Sequence, residues 1–348
     1  MRIFAMIIMA LMMMANAEYA LGATKKKTRK RPQPVRRIRK PAINPNILVI
    51  DTGCNTRAME IYMGSQDVVI EYGRMVNTYK RAMGDSINVY CMVIPTAVGI
   101  YCPDSLKYKT KDETATLQQL YDVLDNDVTP IKLMPVLTQK ADQPIYSRTD
   151  HHWAPLGAYY AAEQFAADAH VPFLPLDRYE SRVVKDYVGT MYKFSRNIAV
   201  KQAPEDFVYY VPKDIEYNTE YKIYYFDRYK RVTGESELTP GEFFRRYEDG
   251  NGAAYCTFMG GDTRFTKVTT KTANGRKLMI LKDSYGNALP GYLFASFSEI
   301  HVVDYRYFQK NIVDYAHNNG ITDVLFANNL IHASMNNTYE TYLKLINI

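Results

Sequence analysis

The last quarter of the chain alternates short apolar runs with amphipathic stretches, and this alternation restricts the fold more than any other feature. The runs at Lys277–Leu281, Glu299–Val303 and Thr322–Ala327 have the length and composition of buried strands. Helices are predicted between them, one from about Asn287 and one across Gln309–Asn318. Alternation of strand and helix predicts a parallel sheet with helices on both faces. In such sheets, functional sites gather at the carboxyl ends of the strands.

The first half of the chain follows the same pattern. Strands are predicted at Asn46–Ile50, Ile87–Ile94 and Ile131–Met134, and the second of these is a near-continuous apolar run typical of a strand buried on both faces. Helices are predicted at Val68–Met83 and Thr114–Asn126. One large α/β domain with an insertion, over residues 41–348, accounts for this pattern as well as two domains do.

The segment from about residue 172 to residue 274 breaks the pattern, because it is polar, tyrosine-rich and β-favouring. Nine tyrosines lie between Tyr187 and Val232. Tyrosine is common on half-buried strands, and its ring also stacks on sugars, so both interpretations stay open. The segment is predicted to be an antiparallel insertion that carries a lid or a substrate platform.

The N-terminus carries two distinct segments. Residues 1–23 combine an early arginine, an apolar run and small residues near the end, which predicts a secretory signal peptide; an uncleaved anchor is the alternative. Residues 24–40 hold ten Lys or Arg and no acid, which predicts a disordered basic linker, with contact to anionic lipid or polysaccharide as the alternative. Since this segment accounts for the excess of basic residues in the chain, the net charge of +6 does not indicate that the protein binds nucleic acid.

The four cysteines show no metal-binding spacing. Cys54, Cys91, Cys102 and Cys256 form no CxxC pair and no Cys/His pattern. In an exported protein they allow up to two disulfides with three possible pairings, and the sequence does not choose among them. Cys91 lies inside an apolar run and also suits a buried thiol.

The most informative polar stretch is Arg148–Gly157, which reads RTDHHWAPLG. On an extended segment alternate side chains share a face, so Asp150 and His152 are predicted to point the same way and His151 the opposite way. Pro155 suits the first turn of the alanine-rich helix that follows. An Asp-His pair of this kind acts as a general base when a nucleophile lies within hydrogen-bond reach.

The best candidate for that nucleophile is Ser284. It follows an apolar strand in LMILKDSYGN, where a turn aims a hydroxyl and backbone N–H groups beyond the end of the strand. Asn328 and Asn329 follow another predicted strand and fall at the same edge of the sheet. The alternative is that Ser284 only caps a helix, since serine is favoured at such positions.

Other polar residues are candidates for contacts with a metal ion or a substrate. Asp150, His151 and His152 could bind a metal, but adjacent histidines on an extended strand face apart and no further ligand has matching spacing, so no metal or cofactor is predicted. Arg264 and Arg306 either bind an anionic glycan or serve as surface ion-pair partners.

The stretches TDHHWAPLGAYYAA and LKDSYGNALPGYL together resemble the DHHW family, which is related to the alginate O-acetyltransferase branch of SGNH hydrolases. The resemblance extends from about Asn46 to Ile348. It implies a flavodoxin-like, SGNH hydrolase-like and circularly permuted α/β fold, a three-layer sandwich with a β-rich insertion. It also implies a Ser-His-Asp triad of Ser284, His152 and Asp150.

The resemblance further implies an oxyanion hole. The order of the SGNH segments makes Asn328 or Asn329 similar to the oxyanion-hole asparagine, and Asn328 is preferred. The backbone N–H of Ser284 or Tyr285 is expected to donate as well. Two departures stand out, because the serine segment reads KDS rather than GDS and the Asp/His spacing is DxH rather than DxxH. The second departure matches the alginate-acetylation branch.

The function expected from these features is an exported serine esterase or O-acetyltransferase of the periplasm or cell envelope. Its partners would be an acetylated polysaccharide and a membrane-bound acyltransferase, with no nucleic acid, and the sequence leaves the oligomeric state open. One alternative is a polysaccharide-binding or assembly protein that keeps the fold without turnover. A weaker alternative is a metal-dependent hydrolase. Whether sugar or water accepts the acyl group depends on how dry the pocket is.

Overall fold

The computed structural model describes residues 44–347. The predicted signal peptide, residues 1–23, and basic linker, residues 24–40, lie outside the described residues. The strands within them are β1 Ile47–Ile50, β2 Arg57–Glu60, β3 Asn88–Ile94, β4 Val128–Pro130, β5 Tyr179–Tyr187, β6 Glu205–Pro212, β7 Tyr217–Phe226, β8 Val232–Glu235, β9 Thr239–Gly241, β10 Arg264–Thr270, β11 Lys277–Lys282, β12 Glu299–Asp304 and β13 Asp323–Asn329. The α-helices are α1 Gln66–Met83, α2 Ala97–Tyr101, α3 Glu113–Val123, α4 Leu133–Gln139, α5 Pro155–Asp168, α6 Met191–Ser195, α7 Ile198–Lys201, α8 Ile312–Asn318, α9 Leu330–Ala333 and α10 Asn336–Lys344.

A nine-stranded sheet dominates residues 44–347. Its order is β4-β3-β13-β11-β12-β10-β7-β8, and β9 pairs with β7 beside that path. The five strands from β4 to β12 run parallel, as the alternating pattern predicts. The protein is therefore a mixed α/β fold built on a large central sheet. The carboxyl ends of β11 and β13 meet at one edge of it.

The central strands are buried along their whole length, which explains their near-continuous apolar sequence. Every residue of β13 is buried, and so are all residues of β11 after Lys277. Helix α1 packs against α3 and α10, whereas α4 packs against α5, and β3 contacts both α1 and α4. None of the helices in residues 44–347 has the length and apolar character that crossing a bilayer requires.

The tyrosine-rich segment divides into two parts. Strands β10, β7 and β8 pair antiparallel and extend the central sheet beyond β12. Strands β5 and β6 form a separate antiparallel pair. The aromatic side chains therefore belong largely to sheet surfaces, and the loops at their ends reach the edge where β11 ends.

Two predicted elements are wrong. The helix expected from about Asn287 is absent from the described residues, where short 3-10 helices occupy Ser284–Ala288 and Pro290–Tyr292, because Pro290 has no N–H to continue an α-helix. The strand expected at Ile131–Met134 is also wrong, since β4 ends at Pro130 and Leu133 begins α4.

All four cysteines are free thiols. Their sulfur atoms form no disulfide, and Cys54 is exposed whereas Cys91 is fully buried in β3. Burial raises the pKa of the Cys91 thiol to about 12. Cys91 therefore packs as a small apolar side chain, in agreement with the buried-thiol interpretation.

Candidate active site

Ser284 lies in a tight turn at the carboxyl end of β11. Asp283 caps the 3-10 helix that begins there, because its Oδ1 accepts a hydrogen bond from the Tyr285 N–H at 2.9 Å. Its Oδ2 accepts one from the Asn329 N–H at 2.8 Å, which ties the turn to the end of β13. Since Asp283 provides the cap, the alternative interpretation of Ser284 as the N-cap is wrong.

Ser284, His152 and Asp150 form one chain of hydrogen bonds. His152 Nε2 lies 2.9 Å from Ser284 Oγ, and His152 Nδ1 lies 2.5 Å from Asp150 Oδ1. The backbone N–H of His152 also donates to Asp150 Oδ1, at 3.0 Å. Because the Asp150 carboxylate accepts a hydrogen bond from the Nδ1–H of His152, it favours the tautomer in which the Nε2 lone pair of His152 faces the serine hydroxyl. The structure thus brings together the three residues that the sequence singled out.

Asp150 is held from its other side by the start of α6. Its Oδ2 accepts hydrogen bonds from the Thr190 N–H at 2.8 Å and the Thr190 hydroxyl at 3.0 Å. Burial opposes ionisation of Asp150, but His152, His151 and the Thr190 N–H outweigh it and hold its pKa well below the usual range. Gly189 permits this approach, since a Cβ there would lie 2.3 Å from Asp150 Oδ2. Asp150 is therefore a fixed carboxylate.

Tyr255, from the insertion, positions the imidazole. Its ring stacks on that of His152 with centroids 3.8 Å apart and an interplanar angle of 5°. Its hydroxyl donates to the Tyr285 carbonyl at 2.9 Å, and the Trp153 indole N–H donates to the same oxygen at 2.9 Å. Both rings are buried. Together they fix the base relative to the serine turn.

The expectation that His151 points away from His152 is wrong. Residues 148–152 form a series of bends rather than an extended strand, so the two imidazole rings lie with centroids 3.7 Å apart. His151 Nδ1 lies 2.6 Å from the Thr190 hydroxyl. Burial, together with His152, lowers the pKa of His151 to about 3. His151 is therefore a neutral side chain that packs against the dyad.

The same bends gather a potential metal-ligand group. The ligand atoms of Asp150, His151 and His152 all lie within 4.8 Å of one another, which corrects the argument that these histidines face apart. However, Asp150 Oδ1 and His152 Nδ1 already bond to each other, and Asp150 Oδ2 bonds to Thr190. A metal ion here would have to displace these hydrogen bonds, whereas the serine contact uses the arrangement as it stands.

Asn328, which the resemblance places in the oxyanion hole, has its side-chain oxygen engaged in buried hydrogen bonds. Its side chain is fully buried, and its Oδ1 accepts hydrogen bonds from the Tyr72 hydroxyl at 2.7 Å and the Tyr342 hydroxyl at 2.9 Å. Its Nδ2 points to Asp283 Oδ2 at 3.5 Å. The amide oxygen therefore satisfies two buried hydroxyls, and the oxyanion-hole role of Asn328 stays a prediction. Asn329 instead caps α9 by accepting from the His332 N–H at 2.9 Å.

Tyr285 also has its donors engaged. Its N–H donates to Asp283 Oδ1, and its hydroxyl donates to the His151 carbonyl. The Ser284 N–H has no acceptor within residues 44–347. Of the two predicted backbone donors, Ser284 is the one that remains available to a developing oxyanion.

Arg306 takes the ion-pair role that was its alternative. Its Nε lies 2.8 Å from Asp304 Oδ1, and its Nη2 lies 2.9 Å from Asp262 Oδ2. Lys282, fully buried, lies 3.1 Å from Asp304 and 3.6 Å from Asp262. Asn287, on the serine turn, donates to Asp262 at 2.7 Å. This ion-pair cluster of Asp262, Lys282, Asp304 and Arg306 is therefore joined to the serine turn through the hydrogen bond from Asn287 to Asp262.

Arg264, at the start of β10, is not brought to the serine by any of its contacts. Its guanidinium lies 4.9 Å from the centroid of the Tyr221 ring. Burial and the nearby Arg245 lower its pKa. Within the described part of the chain it pairs with no carboxylate, and its glycan-binding role stays a prediction.

Three residues of the site were not predicted from the sequence: Thr190, Tyr255 and His332. Thr190 and Tyr255 lie in the tyrosine-rich segment, and only the folded chain brings them to Asp150 and His152. His332 follows the strand-end asparagines, and its Nδ1 lies 2.9 Å from Asp283 Oδ2. A histidine three residues after a strand end is a weak signal that could have been noted.

The fold and the site together define an α/β protein in which a serine, a histidine and an aspartate meet at the carboxyl edge of the sheet. The model of the family described as DHHW protein matches residues 52–303, so the chain belongs to the DHHW family.

Three solved structures are similar to the chain to different degrees. A DHHW family protein from Eubacterium siraeum DSM 15702 is 35% identical with a TM-score of 0.77, over 87% of this chain and 96% of that chain. Bacillus cereus PatB1, solved with a sulfonyl adduct, is 18% identical with a TM-score of 0.63, over 85% of this chain and 98% of that chain. The O-acetyltransferase domain of Pseudomonas putida AlgJ is 13% identical with a TM-score of 0.47, over 87% and 99%, a likeness too low to carry an argument. No curated protein matches the chain.

Proposed function

We propose that the chain is an exported serine esterase or O-acetyltransferase that acts on acetyl groups of cell-envelope or extracellular polysaccharide. One observation carries the proposal: Ser284 Oγ lies 2.9 Å from His152 Nε2, and His152 Nδ1 lies 2.5 Å from Asp150 Oδ1. These are the nucleophile, base and orienter that acyl transfer requires. The acetyl group and the glycan follow from the DHHW resemblance, and export follows from the apolar residues 1–23.

In the first half-reaction, His152 Nε2 takes the hydroxyl proton of Ser284 as Oγ attacks the acetyl carbonyl carbon. Asp150 stabilises the imidazolium that forms, and Tyr255 keeps the ring in plane. The Ser284 N–H donates to the oxyanion. The leaving oxygen of the donor then takes the proton from His152, and acetyl-Ser284 results.

In the second half-reaction, a sugar hydroxyl or water attacks acetyl-Ser284. His152 takes the proton of the attacking oxygen and returns it to Ser284 Oγ as the ester bond breaks. A membrane-bound acyltransferase is the proposed source of the donor when a sugar is the acceptor. The circularly permuted, flavodoxin-like order is part of the same proposal, since the segment with Asp150 and His152 precedes Ser284 in the chain.

The likeness to PatB1 supports a reactive nucleophile. That protein was solved with a sulfonyl adduct. A sulfonyl adduct forms when a nucleophile displaces the leaving group of a sulfonyl reagent. The same reagent class should therefore modify Ser284 and leave the buried serines unmodified.

A Ser284→Ala variant tests the proposal. The parent should hydrolyse an aryl acetate and gain one acetyl group on Ser284, seen by intact mass and peptide mapping. The variant should lose both signals, whereas Ser181→Ala, at an exposed serine of β5, should keep them. Equal activity of the Ser284 variant and the parent would remove the serine mechanism. Loss of parental activity to chelators would favour the metal-dependent alternative instead.

A further inference from the structure

A second Asp-His pair flanks the serine turn. His332 Nδ1 lies 2.9 Å from Asp283 Oδ2, and Asp283 also holds the Tyr285 N–H that follows the serine. Burial lowers the pKa of His332, but Asp283 outweighs burial and raises it. His332 Nε2 has no hydrogen-bond partner in residues 44–347. That atom can therefore exchange a hydrogen bond with a ligand hydroxyl, as a donor when the ring is charged and as an acceptor when it is neutral.

Strand β2 and the residue that follows it are tied by hydrogen bonds to the two segments that carry the histidines. At its start, the Ala58 N–H donates to the Arg148 carbonyl at 2.9 Å, beside the segment that carries Asp150 and His152. Just after its end, the Tyr62 hydroxyl lies 2.8 Å from the Ser334 hydroxyl, two residues after His332. Glu60 closes the strand between these anchor points. Both of the segments that carry an Asp-His pair are therefore anchored two residues away from Glu60 along the chain.

The Glu60 carboxylate has no protein partner. It forms neither a hydrogen bond nor an ion pair with any side chain of the described residues, although it is half-buried. Burial raises the pKa of Glu60, while His152 and His332 act in the opposite direction. A half-buried carboxylate loses part of its hydration, and without a hydrogen-bond donor from the protein this free-energy cost is not compensated. Such a group suits a donor that arrives with a ligand.

We propose that Glu60, with His332 beside it, binds the hydroxyl groups of a sugar acceptor above acetyl-Ser284. The inference rests on the proposed acyl transfer. A carboxylate accepts hydrogen bonds from hydroxyls, and the free imidazole nitrogen of His332 bonds to the neighbouring hydroxyl, which can both donate and accept. A negative charge would repel the oxyanion of the tetrahedral intermediate, so Glu60 suits the acceptor rather than the acyl oxygen.

Glu60 orients the acceptor and takes no net proton. The bound hydroxyl oxygen forms the new bond to the carbonyl carbon of acetyl-Ser284, and its proton passes to His152 Nε2. The bond from Ser284 Oγ to that carbon then breaks, and Oγ recovers the proton from His152. Water lacks the second contact that a sugar makes, so the pair favours transfer over hydrolysis.

The test measures how acetyl-Ser284 is partitioned. Parent and Glu60→Gln are supplied with 4-nitrophenyl acetate and a set of sugars (methyl glucoside, methyl mannoside and chitobiose), and acetylated sugar and free acetate are counted. A ratio of the two products is independent of how fast acetyl-Ser284 forms. Because a hydrogen bond to a charged group is lost, the ratio should fall about tenfold or more. Glu163→Gln, at an exposed glutamate of α5, should keep the parental ratio.

The possible outcomes separate the acceptor role of Glu60 from the proposed acyl transfer through Ser284. A Glu60→Gln ratio equal to that of the parent overturns the acceptor role. A parent that forms acetyl-Ser284 but yields only acetate with every sugar overturns it too, and leaves the esterase form of the proposed function. A parent that forms no acetyl-Ser284 removes both. Thermal melting checks the fold, and Glu60→Asp, which keeps the charge on a shorter side chain, should retain more transfer than Glu60→Gln.

Discussion

The substitution Asp150→Asn removes one charge while keeping the shape of the side chain. In the parent, Oδ1 accepts from two donors of His152, at 2.5 and 3.0 Å, and Oδ2 accepts from two donors of Thr190, at 2.8 and 3.0 Å. An amide can accept on only one of these sides. If its nitrogen faces His152, the imidazole must accept at Nδ1, which protonates Nε2 and removes the base from Ser284.

The expected loss follows from this conflict. In either orientation the amide nitrogen meets one backbone N–H, that of His152 or that of Thr190, a donor-donor contact that costs about 1–3 kcal/mol. The tautomer is wrong when the nitrogen faces His152, and in both orientations no carboxylate stabilises the imidazolium, so the acylation rate should fall about 10³- to 10⁴-fold. At 1.36 kcal/mol per decade, this corresponds to about 4–5.5 kcal/mol of transition-state stabilisation.

The assay is single-turnover acetylation of Ser284 by an aryl acetate, followed by intact mass and by nitrophenolate release. Asp206→Asn, at an exposed aspartate of β6, is the matched control and should acetylate at the parental rate. Melting curves show whether each variant is folded. An Asp150→Asn variant that is folded and acetylates within about tenfold of the parent would refute the tautomer argument.

Three further predictions concern stability and reactivity. His332→Gln should lower the free energy of unfolding, because the charged form of His332, paired with Asp283, is the stabilising one. The loss should be largest below the usual histidine pKa of 6.5 and should become smaller as the pH rises through the raised pKa of His332. Denaturant titrations across pH measure this loss, and a loss independent of pH contradicts the prediction. A thiol reagent should label the exposed Cys54 and spare Cys91 until the protein unfolds, because burial raises the pKa of Cys91 to about 12, and peptide mapping that finds early labelling of Cys91 would disprove this. Gly286→Ala should lower the free energy of unfolding by about 1–3 kcal/mol, because the added Cβ would lie 2.4 Å from the Cβ of Lys282; parental stability in denaturant would count against it.

The sequence was sufficient for the parallel part of the sheet. Strands β3, β11, β12 and β13 are short apolar runs that alternate with amphipathic stretches, and this alternation favours a parallel sheet covered by helices on both faces. The meeting of Ser284 with the Asp150–His152 segment was predicted by chemistry rather than by periodicity. A base and its orienter in one short segment require a nucleophile, and Ser284 was the candidate at a strand end.

The other features of the candidate site depend on contacts between parts of the chain that are distant in sequence. That Tyr255 stacks on His152, or that Thr190 anchors Asp150, follows from how the insertion folds back, and no local pattern records it. The bends at residues 148–152 were missed for a related reason. Their geometry is set by partners such as Glu205, which accepts from the N–H groups of Arg148 and Thr149 and lies far along the chain.

The KDS segment explains how a serine turn can dispense with the glycine expected before it. Lys282 extends below the turn to Asp304 and Asp262, where its buried charge is paired. The backbone at Gly286, on the other side of the serine, then lies close to the Lys282 side chain, and a Cβ at Gly286 would collide with the Cβ of Lys282. The residue without a side chain therefore stands two positions after Ser284 instead of two positions before it. Lysine and glycine therefore fit together as a pair at this turn, since a side chain at position 286 would collide with that of Lys282.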